Sequence, residues 1–216
     1  MQFNASVEPI NHYLEETVRK ACGKKEYRQI KATFDALTLH LKKVFAGKAD
    51  AVQKILFETA GGLQANHLID KFGVMRDLRD YAEELTEALV KRGGADPANP
   101  PFAHLMNLGD GDGVLLPFRF ATPFQLQVKG RVPFPVSSCV NLRDELNIIN
   151  KHLKVEHTFK LSQLPPLLEA TSAQIEQFEK MYDVDPSFWI KFGFTVLRTL
   201  NTVALEYRLP VIFHYI

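Results

Sequence analysis

Gly93-Gly94-Ala95-Asp96-Pro97-Ala98-Asn99-Pro100-Pro101 divides this chain in two. Proline has no backbone N–H to give to a helix or a ladder. Glycine costs more chain entropy than any other residue to order, so a run this rich in both reads as turn and loop. The break continues past His104 to Gly109-Asp110-Gly111-Asp112-Gly113. Residues 93–113 are therefore expected to be loop. A connection of about 20 residues is long for a compact domain, which marks it for function or mobility.

On the N-terminal side the apolar residues recur at helical spacing. Val7, Ile10, Leu14, Val18 and Ala21 predict a helix over 6–22, ended by Gly23. Tyr27, Ile30, Phe34, Leu37, Leu41 and Val44 predict a second over 24–46. A shorter helix over 49–60 ends at Gly61-Gly62, and Leu68, Phe72, Met75, Leu78, Ala82, Leu85 and Leu89 predict a fourth over 63–91.

On the C-terminal side the period shortens to two. Phe118 and Phe120 flank Arg119; Phe124, Leu126 and Val128 alternate with polar residues; Val132, Phe134 and Val136 alternate again after Gly130. This predicts a small meander, with Pro117, Pro123, Pro133 and Pro135 at strand ends and edges. Ser138 or Asn141 caps a helix reaching His152, and Val155, His157, Phe159 and Leu161 predict a further strand. Thr171 with Gln174 opens a helix over 172–182, and Asp185-Pro186 opens another over 186–208. That last helix is apolar around most of its girth, so it belongs at the centre of the fold. Residues 211–216 read as a final strand.

The expected class is α+β: an N-terminal helical half, 1–92, a loop, 93–113, and an α+β half, 114–216, in which a small, largely antiparallel sheet packs on C-terminal helices. The whole forms one integrated domain. At 216 residues it can bury a core without staples. A formal net charge of +1 gives no global field to attract nucleic acid. Cys22 and Cys139 are too few and too far apart for a disulfide framework or a zinc knuckle. No signal-like leader and no charge-free apolar run of spanning length is read, so a cytoplasmic protein without a membrane partner is expected.

Few residues suggest chemistry. Glu145 and His152 are seven apart on one helix edge, and His157 follows on the next predicted strand. Together they could bind a ligand or act as an acid–base pair, although their spacing matches no metal motif. The simpler alternative is hydrogen-bonded core histidines. Arg119 would bind an anion if it pointed inward between its phenylalanines. Asp110 and Asp112 are too few for a calcium loop, and they repel phosphate. Residues 19–54 hold ten basic and three acidic residues, with Lys24, Arg28, Lys31 and Lys42 on one helix face. Residues 70–87 hold six acids and three basic residues and could lie against that basic face.

Walker, dinucleotide, nucleophile-elbow, His-Glu-x-x-His and Cys-x-x-Cys motifs do not occur. The function expected from sequence is a non-catalytic ligand- or protein-binding module, its pocket or surface lying where the halves meet. It needs no cofactor and no metal, binds an unspecified small molecule or protein, and is unlike a nucleic-acid binder. Self-association is left open. The alternatives are a small metal-dependent or acid–base hydrolase built on Glu145, His152 and His157, and a binder of acidic partners or nucleic acid through 24–46.

Overall fold

The fold is α+β, seen here in a computed structural model. The structure describes residues 3–46, 49–58, 62–69, 74–109, 111–155 and 187–215. The predicted strand at 155–161, the helix at 172–182 and His157 lie outside these, apart from Val155.

Strand β1, Phe3–Val7, is followed by helix α1. It begins at Ile10–His12, widens into a π-helical segment over Tyr13–Val18 and closes at Arg19–Ala21. Helix α2 is Lys24–Val44; α3 combines Ala49–Gln53 with a π-helical segment, Lys54–Glu58. Strand β2 is Ala65–Ile69 and helix α4 is Val74–Lys91. A short helix α5, Ala103–Met106, precedes strands β3, Gly113–Leu116, β4, Phe124–Leu126, and β5, Phe134–Ser138. Helices α6, Cys139–Leu153, and α7, Ser187–Tyr207, and strand β6, Val211–Tyr215, complete the described elements.

The six strands among the described residues form one sheet in the order β2-β1-β6-β3-β5-β4. Four pairings are antiparallel, and β3 with β5 is parallel. Successive side chains of a strand face opposite sides, and here each side has its own core. Ala5, Val7, Leu115, Val211 and Phe213 face one layer with α4, α6 and α7. Val114, Leu116, Val136 and Ile212 face a second layer with α1, α2 and α3. The sheet is thus the middle of three layers.

Four expectations need correction. Residues 3–7 and 65–69 are strands, although the helices read over 6–22 and 63–91 extend into them. Ala5 and Val7 alternate with Asn4 and Ser6, and pairing of β1 with both β2 and β6 satisfies backbone groups that a helix would otherwise bond internally. Residues 93–113 are not wholly loop: Phe102, His104, Leu105 and Leu108 are buried around α5. Only part of the meander forms: β4 pairs antiparallel with β5, but β5 also pairs parallel with β3, so β4 lies at the sheet edge and not between them. Phe118 and Phe120 lie in no strand; their rings pack beside the second core. Finally, Pro135 lies inside β5, which pairs on both sides. Gly113 makes room for it: a Cβ there would be 2.9 Å from Pro135 Cγ and 3.2 Å from its carbonyl oxygen.

Candidate functional site

Glu145 is buried on α6, and both its oxygens accept hydrogen bonds, from His104 N at 2.9 Å and Leu105 N at 2.8 Å. These N–H groups open α5 and have no partner within the helix, so the carboxylate closes that end. Burial pushes its carboxyl up to about 7; the two N–H bonds pull the other way, and Asp144 adds to the rise. His104 Nδ1 accepts from Ser138 N at 3.0 Å, and Ser137 Oγ donates to His104 O at 2.9 Å. Burial lowers the imidazole's pKa, partly offset by the carbonyls of Ala121 and Phe120 beside the ring.

Of the other sequence candidates, His152 takes no part in this cluster, and Arg119 reaches it only through its charge, which adds to the lowering of the His104 pKa. His152 is exposed in the last turn of α6. Arg119 is exposed too, and Nη2 donates to Asp144 Oδ2 at 2.5 Å. His157 is outside the described residues. Among those residues, no three of His, Cys, Asp and Glu are grouped as metal ligands. The same limit holds for membranes: no described helix is long and apolar enough to cross one.

The surface carries a stronger feature on α4. Met75, Leu78, Ala82 and Leu85 turn into the core. Asp80, Glu83, Glu84 and Glu87 occupy the exposed side. Their spacing, i, i+3, i+4 and i+7, aligns them along two turns. Glu87 has Lys91 at 3.4 Å. Among the described residues, no cation pairs with Asp80, Glu83 or Glu84. The basic face of α2 does not cover this row, because α2 packs on the opposite side of the sheet. Its Lys31 is already paired with Asp35 at 2.7 Å. The sequence showed the acids but set them against the wrong neighbour. The signal available was the run from Asp80 to Val90 without a single Lys or Arg.

A sequence profile of the family described as "Putative DNA-mimic protein" matches residues 24–213. The chain belongs to that family. A comparison with curated proteins finds no match, and neither does one with solved structures.

Membership overturns the function expected from sequence. Neither an unspecified ligand- or protein-binding module nor a small hydrolase describes a family named for resemblance to DNA. The binder of acidic partners through 24–46 fails on sign. A DNA mimic has to present negative charge, whereas that face is basic. The matched span includes all of α4 and its carboxylate row.

Proposed function

We propose that this protein binds a DNA-binding protein, setting Asp80, Glu83, Glu84 and Glu87 where that partner otherwise meets phosphates. The observation that carries this reading is the exposed carboxylate row on α4, three of whose members have no cation among the described residues. Rows a turn apart put charges ~5–6 Å from each other. A nucleic-acid strand carries one charge per ~3.4 Å of axis, so both present a dense, linear array of acceptors. Carboxylates accept bidentate hydrogen bonds from the same arginines that grip phosphates.

The charge has to be local, since the chain as a whole is close to neutral. Exposed ion pairs are worth ~0–1 kcal/mol each. Several must engage together, and the rest of the affinity comes from contacts around them. Rigid mounting helps, and α4 is anchored by its buried stripe on the α7 layer. On this reading 1–92 and 114–216, joined by 93–113, act as one integrated domain. The protein works in the cytoplasm, where DNA-binding proteins meet their sites, and the row repels nucleic acid itself.

The test is displacement. Fluorescent duplex DNA is bound to each of a panel of small basic DNA-binding proteins, and this protein is titrated in. At least one panel member should lose its DNA, less readily as salt rises. The variant Asp80→Lys/Glu84→Lys/Glu87→Lys should fail while keeping its circular dichroism. Equal displacement by that variant, or none by the native chain, would sink the reading.

A further inference from the structure

On the other side of the sheet from α4, a cavity of about 210 Å³ lies between α1, α2 and strand β6. Its floor includes His214, which is only 7% exposed. The side chain of Asn4, opposite it on β1, has Nδ2 3.4 Å from His214 Nε2. With the Asn4 amide in this orientation, its N–H₂ donates to Nε2, which leaves Nδ1 to carry the ring proton. That Nδ1 is buried and, among the described residues, has no hydrogen-bond partner. Burial holds the ring neutral, with its pKa lowered to about 4. A buried N–H without an acceptor costs ~1–3 kcal/mol, so such groups normally have a ligand or water to serve.

The rest of the wall fixes what that ligand is. Aromatic rings line it in series: Tyr13 is 5.0 Å from the His214 ring and 5.8 Å from Phe34, and Phe34 is 5.7 Å from Phe134. Edge-on and tilted rings of this kind favour a flat aromatic guest. At the mouth Arg131 donates to Thr33 Oγ1 at 3.1 Å and lies 3.6 Å from Asp112. Glu26 also borders the cavity. One cation against two carboxylates disfavours an anion. The volume equals about seven waters at ~30 Å³ each, hence an occupant on the order of ten non-hydrogen atoms.

We infer that this cavity binds a small, neutral, planar nitrogen heterocycle of nucleobase size. An acceptor on the heterocycle, a ring nitrogen or a carbonyl oxygen, takes the His214 Nδ1–H, the ring lies among Tyr13, Phe34 and Phe134, and an N–H faces Asp112. The site is independent of the proposed partner surface, which lies across the sheet. Either can fail without the other.

The experiment is a two-dimensional NMR titration of the full chain with adenine, uracil, indole and inorganic phosphate as separate probes. Adenine or uracil should shift the resonances of Tyr13 and His214. His214→Phe should weaken that binding about tenfold or more, the scale of one lost hydrogen bond. Because His214→Phe alters a buried strand, Ala21→Trp is the second variant. Ala21 is exposed at the cavity wall, and the indole should block entry while the core stays intact. Phosphate should shift nothing there. Indole offers neither a ring-nitrogen nor a carbonyl acceptor and should bind weakly, with no sensitivity to His214→Phe. The inference is overturned if neither base shifts these resonances. It is overturned equally if indole matches the bases, if phosphate displaces them, or if Ala21→Trp leaves base binding unchanged.

Discussion

Glu145 shows how one buried side chain can hold two segments of the sequence together. Its oxygens satisfy the N–H groups of His104 and Leu105, which lie in the stretch between the two halves. Burial raises its pKa to about 7 from an ordinary value near 4.5. The folded chain therefore binds more protons than the unfolded chain between those two pH values. Its contribution to stability is complete below pH 4.5 and is lost as pH rises through about 7. Glu145→Gln keeps one acceptor but turns an N–H₂ toward the other backbone N–H. It should cost ~1–3 kcal/mol at pH 4.5. The gap should narrow as pH rises to 7, since glutamine does not titrate. Chemical denaturation of both proteins across that range measures it, and a flat difference would show that Glu145 titrates normally. The sequence drew attention to Glu145 but not to its partners. His104 is 41 residues away, in a segment whose glycines and prolines hide a four-residue helix.

At the scale of elements, legibility followed the period of the apolar residues. Residues 24–44, 139–153 and 187–207 are helices close to their expected bounds, because each buries a long stripe that no other structure would satisfy. Leu197 and Leu200 in α7 are fully buried, as the apolar girth of that helix implied. Leu200→Ala should cost ~2–5 kcal/mol. A loss under ~1 kcal/mol by thermal or denaturant unfolding would contradict its central position. Strands β1 and β2 were illegible because five residues fit either period, and the choice was made by pairing partners distant in sequence. The same limit applied between residues 93 and 113. Phe102, Leu105 and Leu108 anchor the second half of that stretch, while 92–94 and 96–101 remain exposed or partly so. Among the described residues of this connection, limited proteolysis should cut within 92–101 and spare 102–108. Early cuts at Phe102 or Leu105 would mean that α5 is not held by Glu145.

At the scale of the whole molecule, the sheet is where the two ends of the chain meet. Strand β6, the last described element, lies between β1, the first, and β3. Its side chains feed both cores: Val211 and Phe213 on one side, Ile212 on the other. Removing β6 would cut the β1–β2 pair off from the rest of the sheet and open both layers together. The carboxylate row on α4 and the cavity beneath α1 and α2 are thus held by one shared middle layer, although they face opposite ways. This arrangement argues against separate unfolding of the N-terminal and C-terminal halves. Unfolding should be a single transition with coincident midpoints for the Trp189 signal on α7 and for the far-ultraviolet helix signal. The strongest version of the test removes one strand's contribution. Phe213→Ala, in β6, should lower both midpoints by the same amount, because the residue is buried in the layer that contains α7 and sits on the strand that pairs with β1. If the helix signal kept its midpoint while the tryptophan signal fell, the front layer would be folding alone. One integrated domain would then be the wrong description of this chain.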